Sequence, residues 1–245
     1  MRLTLEYDGQ DFHGWQAQPA ATGQRTVAGE LISGIATVTG ESPRLIAAGR
    51  TDAGAHSLGQ TVNFELERQM APAQLLTALN AVLPKDVAVV AAEIAPDGFH
   101  ARFSARRRHY RYLVQNRDAR SAVLRNRAWH VRSPLDLAAV QQAAGRLVGR
   151  RDLGAFGRDP AGRNTVRYLE AIDVRPLPGA ADGSLVAFDL SADAFLYGMV
   201  RRIVGFLVEV GIGRRSADDG AIVGGDAIRA RVAPAWGLYQ MGVEY

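Results

Sequence analysis

The 245-residue sequence has no cysteine, which removes disulfide frameworks and thiolate chemistry at once. It has almost no lysine: Lys85 is the only one among the 29 lysines and arginines. It also lacks a long uncharged apolar run. The most apolar long stretch, residues 194–213, carries Arg201, Arg202 and Glu209, whereas a membrane span needs about 20 mostly apolar residues. The N-terminal residues Leu3, Leu5 and Tyr7 alternate with polar neighbours like a strand, not like the apolar core of a signal peptide. No membrane partner is expected, and the cytoplasm is the expected location. A glycine-rich phosphate loop ending in lysine is missing, and no carboxylates and histidines cluster at ligand spacing. That argues against a metal-dependent nuclease or phosphotransferase.

What is present is arginine. The net charge is +4, and the cations gather at Arg102, Arg106, Arg107, Arg108, Arg111, Arg117, Arg120, Arg125, Arg127 and Arg132. Phe99, Phe103, Tyr110, Tyr112 and Trp129 are interleaved with them. Guanidinium groups bind phosphate through a fork of donors and stack on bases. A basic stretch with aromatics is the footprint of a nucleic-acid surface. Arg102, Arg106 and Arg108 are the residues expected on phosphate; a solvated charged face is the plainer alternative.

The most informative stretch is residues 48–56, Ala-Gly-Arg-Thr-Asp-Ala-Gly-Ala-His. Glycines and alanines let the backbone turn tightly and let something large approach. Arg50, Asp52 and His56 are left as a cation, a carboxylate and an imidazole. Residues 44–47 read as a short strand, and residues 60–66 alternate with Val62, Phe64 and Leu66 on one face. The motif is therefore expected as a loop between strands, where binding and catalytic groups concentrate. A plain tight turn, with Asp52 on a backbone amide and Arg50 in solvent, is one alternative; an amide nest for phosphate is a second, against which the Asp52 carboxylate argues because it repels an anion. His56 is expected to hold a backbone carbonyl.

Hydrophobic periodicity orders the rest. Residues 2–8 form a strand; Val27, Leu31, Ile32, Ile35 and Val38 share a helix face; Pro72 opens a helix with Leu75, Leu76, Leu79 and Val82 inward; residues 86–94 form a strand. The second half repeats this order. Residues 106–114 alternate with Tyr110, Tyr112 and Val114 on one face, and His109 on the other. Ser133 is expected to cap a helix that Pro134 opens, with Asp136 at the capping-box position. Strands follow at 163–175 and 184–191, a hairpin tip at 179–183, a helix from 194 to about 211 and a last strand at 238–245; residues 216–231 have no clear pattern. The fold class predicted is α+β, two ferredoxin-like split βαβ halves with a mostly antiparallel sheet, divided into 1–98 and 99–245. On the last helix, Ala194, Gly198, Arg201 and Gly205 share a face, so Arg201 needs a partner if buried. Asp52 is one candidate; Glu93, Asp189 and Asp193 are the structural alternatives.

These residues together resemble the tRNA pseudouridine synthase A family over almost the whole chain. The resemblance rests on Tyr7-Asp8-Gly9 with Phe12-His13-Gly14-Trp15-Gln16, then Gly49-Arg50-Thr51-Asp52-Ala53-Gly54 with His56 and Gly59-Gln60. It continues through Leu83-Pro84, Phe99-His100-Ala101-Arg102, Phe195-Leu196, Met199-Val200-Arg201 and Gly237-Leu238-Tyr239. It implies a pseudouridine synthase fold and a homodimer with a basic cleft. It also implies isomerisation of uridine to pseudouridine in the anticodon stem-loop of tRNA, without cofactor or metal. Asp52 falls on the family's catalytic aspartate, Arg50 on the arginine that helps hold the flipped base, Tyr110 on the tyrosine packed against that base, and Arg201 on the basic residue paired with the aspartate. The sequence departs from the pattern at Ala55, at Arg151 and Leu153, and at Gly198 and Arg202, where a histidine and an asparagine are common. A non-catalytic RNA-binding protein is the alternative; a carboxylate amid arginines has no use on such a surface.

Overall fold

In a computed structural model of the chain, which describes residues 1–159, 162, 164–178, 184–221 and 231–245, the first alternation becomes β1 (Arg2–Tyr7), with Leu3, Leu5 and Tyr7 buried. Thr26 caps α1 (Val27–Thr39) by accepting from the Gly29 amide, and Gly40 ends it at a φ of 81°. Then come β2 (Ile46–Ala47), β3 (His56–Asn63), α2 (Pro72–Val82) and β4 (Val87–Glu93). The sheet order is β4-β1-β3-β2, all antiparallel, which is the ferredoxin-like split βαβ arrangement. Leu3, Leu5, Val62, Val87 and Val89 pack from this sheet against Leu31, Ile35, Leu75 and Leu79 of the helices. Val82, expected inward, is 43% exposed. The buried seam of α2 runs 75, 79, 83, and Leu83 just past the helix turns in instead. These elements belong to one compact unit, Met1–Arg106 with Tyr239–Tyr245.

The second unit is Arg107–Leu238. It holds β5 (Arg107–Asn116), β6 (Trp129–Val131), α3 (Leu137–Leu147), β7 (Gly149–Asp152), β8 (Val166–Pro176), β9 (Leu185–Ala192) and α4 (Met199–Gly211). Its sheet runs β5-β9-β8-β7 with antiparallel ladders, and β6 lies parallel on β5. The final strand β10 (Leu238–Glu244) pairs in parallel with β3 at Tyr239–His56 and Gln240–Ser57. The sequence-based division at residue 98 therefore falls inside the first unit, and the last strand joins that unit from the far end of the chain. Among the described residues no helix is long and apolar enough to cross a membrane.

Two helices start later than the periodicity predicts. The α3 cap is Asp136, which accepts from the Ala139 amide, not Ser133. The reason is Asn116: its amide donates to the Val131 and Ser133 carbonyls and its Oδ1 accepts from the Leu135 N–H, so this stretch is held out of a helix. α4 begins at Met199, because Gly198 sits at a φ of 70°, a left-handed conformation no α-helix uses. The hairpin tip at 179–183, the start of the strand expected at 163, and most of the stretch at 216–231 lie outside the described residues.

Candidate active site

The motif loop, residues 48–55, leaves the sheet between β2 and β3. The Ala48 N–H donates to the Thr61 carbonyl at its base. Thr51 is buried, its Oγ1 lies 2.8 Å from the Tyr7 hydroxyl, and its carbonyl accepts from the Trp15 N–H. The Gly54 N–H donates to Phe12 O, and the Ala55 N–H closes a turn on Asp52 O. Two glycines outside the loop make this packing possible. A Cβ on Gly9 would lie 1.8 Å from Ala55 O. A Cβ on Gly14, itself at a φ of 90°, would lie 2.8 Å from Thr51 O. The result is a rigid loop presenting Asp52 half-buried and Arg50 exposed. Arg25 fixes the neighbouring loop: its guanidinium lies 4.2 Å from the Phe12 ring centre and grips Asp86 through two hydrogen bonds of 2.6 and 2.8 Å.

A third support comes from β10. Gln60 Nε2 donates to the Gly49 carbonyl at 2.8 Å, and Gln60 Oε1 accepts from Gln240 Nε2 at 3.2 Å. Gly59 lets the strands close; a Cβ there would fall 2.6 Å from Met241 O. His56 is the first residue of β3 rather than a loop residue, and it is buried. It does not hold a backbone carbonyl through Nδ1. That atom accepts from the Gly9 N–H at 3.1 Å, with Asp8 Oδ1 also at 3.1 Å, and the ring stacks on Tyr239 at 4.7 Å. Gln240 carried no signal in the sequence beyond its inward phase on a strand.

Tyr110 and Arg201 belong to the second unit. Tyr110 sits on β5 with its ring edge-on to Phe195 at 4.9 Å. Arg201 Nε donates to the Ala233 carbonyl at 2.7 Å, and the Ala233 N–H returns a bond to Arg201 O. Gly205 lets that segment approach: a Cβ there would lie 1.7 Å from Arg231 O. Ala194 and Gly198 are outside α4, so the expected stripe of four small or basic positions is cut to Arg201 and Gly205. Of the three alternative carboxylates, Glu93 pairs with Arg2, Asp189 with Arg111 and Arg175, and Asp193 accepts from the Tyr168 and Ala194 amides. Beside this helix the Tyr112 hydroxyl donates to Pro234 O, and burial pushes the phenol well above its ordinary pKa, with the Arg201 and Arg231 charges opposing.

Of the arginines expected on phosphate, Arg102 and Arg106 are exposed. Arg108 is not: it is buried and its Nη1 donates to the Asp193 carbonyl at 2.5 Å. The alternation of β5 puts 108 on the inward face with Tyr110, Tyr112 and Val114. Much of the remaining basic run is ion-paired, Arg107 with Glu170, Arg111 with Asp189 and Arg132 with Asp118. An open depression of about 460 Å³ lies against the loop, lined by Gln10, Asp11, Phe12, His13, Ala53 and Gly54; it borders the motif without taking in Asp52 or Arg50.

Three of the departures, Leu153, Gly198 and Arg202, can be placed. Leu153 is fully buried. The Thr165 hydroxyl and then the Gly154 amide hold Asp152 below the usual carboxylate range. Gly198 and Arg202 are coupled, since a Cβ at 198 would meet Arg202 Nη1 at 2.3 Å, and that guanidinium donates to Tyr197 O.

A family model described as "tRNA pseudouridine synthase" matches residues 143–245, and one described as "Uncharacterized protein conserved in bacteria" matches residues 41–151. The chain is 42% identical to the tRNA pseudouridine synthase A of Moorella thermoacetica over 100% of this chain and 99% of that one. It is 43% identical to that of Roseiflexus castenholzii, over 99% and 89%. It is 42% identical to that of Methylobacterium radiotolerans, over 100% and 97%. With identity at this level over 99–100% of its length, the chain belongs to the tRNA pseudouridine synthase A family.

Proposed function

We propose that this chain isomerises uridine to pseudouridine in the anticodon stem-loop of tRNA, with Asp52 as the catalytic carboxylate. The reaction breaks the N1–C1′ bond, turns the base and joins C5 to C1′; N1 gains a proton and C5 loses one, so no cofactor enters the balance. A stacked base must first be flipped out, at a cost of a few kcal/mol. The observation that carries the reading is the build of the motif loop. Tyr7 of β1 meets the Thr51 hydroxyl, the Phe12–Trp15 turn exchanges backbone bonds with Thr51 and Gly54, Gln60 of β3, itself held by Gln240 of β10, donates to the Gly49 carbonyl, and Asp52 rides half-buried on the loop beside alanine and glycine. A carboxylate held rigidly where small neighbours leave room is preorganised to act at a sugar or base carbon.

Arg50, Tyr110 and Arg201 are assigned to substrate binding, Tyr110 through its ring. The exposed guanidinium groups of Arg102 and Arg106 are assigned to RNA phosphate. The homodimer and the cytoplasmic setting are supported by the family resemblance. The test is to incubate the protein with an unmodified tRNA transcript, then locate pseudouridine by carbodiimide adduct and primer extension. New stops at anticodon stem-loop uridines are expected. Stops confined to other regions would overturn the substrate site, and an absence of stops would overturn the isomerase.

A further inference from the structure

The turn at residues 99–104 presents an exposed aromatic on a backbone that is unusually well fixed. Ala101 is fully buried, its N–H donates to Asn63 Oδ1 at 2.8 Å and its carbonyl accepts from the Tyr245 hydroxyl at 2.9 Å. Phe99 packs on Tyr245 with Arg2 across both rings. His100 then organises the tip. Its Nδ1 accepts from the Arg102 and Phe103 amides at 3.2 Å each, and its own N–H and carbonyl both engage Ser104. Its ring stacks on Phe103 at 4.3 Å and 28°. Even so, Phe103 remains 75% exposed, with the Arg102 guanidinium 5.5 Å from its ring centre.

A single exposed apolar residue is ordinary. An exposed ring held in place from behind by an imidazole and flanked by a guanidinium is a different object, because its orientation is fixed before any ligand arrives. Rigid aromatics next to arginines are how proteins stack unpaired bases while tracking the backbone charge. The surroundings favour RNA over a second copy of this chain: Arg102 flanks the ring, the exposed Arg106 follows four residues on and residues 99–106 hold no carboxylate, so a two-fold contact here would set these like charges against their own copies. We propose that the 99–104 turn is a base-stacking platform, on which Phe103 takes the face of an unpaired RNA base and Arg102 holds an adjoining phosphate. This rests on the reading of the protein as an RNA-modifying enzyme and adds to it a recognition element away from the motif loop.

The experiment is equilibrium binding of an unmodified tRNA transcript across a salt series, with tritium release from C5-labelled uridine and sedimentation run in parallel. Phe103→Ala and Phe103→Leu are each expected to weaken binding about 5- to 150-fold, the range for one lost base stack. Phe103→Trp keeps the π-face and should bind like wild type. The Phe103 variants should leave the salt slope unchanged, while Arg102→Gln should lower it by roughly 0.7 to 0.9. A leucine variant that binds like wild type would overturn the platform, since leucine keeps the bulk and loses only the stacking face. So would a loss of binding that appears only with dissociation of an oligomer, which would make the ring a contact between copies. Wild type that binds without releasing tritium would sink the isomerase reading and leave the platform to the variants; wild type that does not bind the transcript would overturn the platform as well.

Discussion

Gln60 Nε2 donates to the Gly49 carbonyl at 2.8 Å, so a buried strand residue holds the entry of the motif loop from beneath. Gln240, 180 residues away in sequence, completes the relay by donating to Gln60 Oε1. The last strand of the chain thus steadies the loop that carries Asp52. Gln240→Ala should destabilise the protein by about 1–3 kcal/mol, because it leaves a buried acceptor unpaired. Gln60→Ala should cost a similar amount and reduce turnover further, since it also frees Gly49. Thermal unfolding and tritium release on the same preparations check both, and turnover unchanged in Gln60→Ala would remove the relay from function.

Three glycine substitutions should separate by sign. Gly9→Ala drives a methyl to 1.8 Å from the Ala55 carbonyl, backbone that cannot swing aside, and should cost about 1–3 kcal/mol or more and most of the activity. Gly205→Ala, at 1.7 Å from Arg231 O, should destabilise comparably. At Gly145, on the exposed side of α3, an added methyl would meet nothing within 4 Å, so Gly145→Ala should stabilise by about 0.5–1 kcal/mol through helix propensity. Melting temperatures read all three.

Acid should loosen the loop at residues 9–25 before the sheet. The Arg25 guanidinium, hydrogen-bonded to Asp86, holds that carboxyl below the usual carboxylate range, against burial. A carboxylate whose folded pKa is depressed contributes stability that is fully present above its unfolded value, near 4, and is lost as pH falls through the folded value. Stability measured from pH 5 downward should therefore fall less steeply in Asp86→Asn than in wild type. Equal slopes would show that the pair adds nothing to the acid transition.

Much of the fold was legible because hydrophobic phase decides which side of an element is buried. Leu3, Leu5 and Tyr7, or Tyr110, Tyr112 and Val114, announce their strands and their inner faces. Phase does not say which strand lies alongside, so the return of β10 to β3 was invisible. Nor does it stop a helix: the apolar run through Leu196 reads on into α4, and only the left-handed Gly198 breaks it. Arg108 shows the opposite failure. Its charge suggested phosphate, but its strand phase buried it, and phase prevailed because a backbone carbonyl was within reach. The supports of the motif loop were half legible: Gly9, Gly14 and Gln60 stand in the motifs, whereas Gln240 gives no chemical sign of its role.

The central claim is that Asp52 does the chemistry. The direct measurement is tritium release from C5-labelled uridine in an unmodified tRNA transcript, by wild type and Asp52→Ala side by side, with binding of the RNA measured for both. Release by wild type alone, with the variant still binding, is the result this account predicts. Release that survives in Asp52→Ala would contradict it, and would move the chemistry to another residue of the same fold.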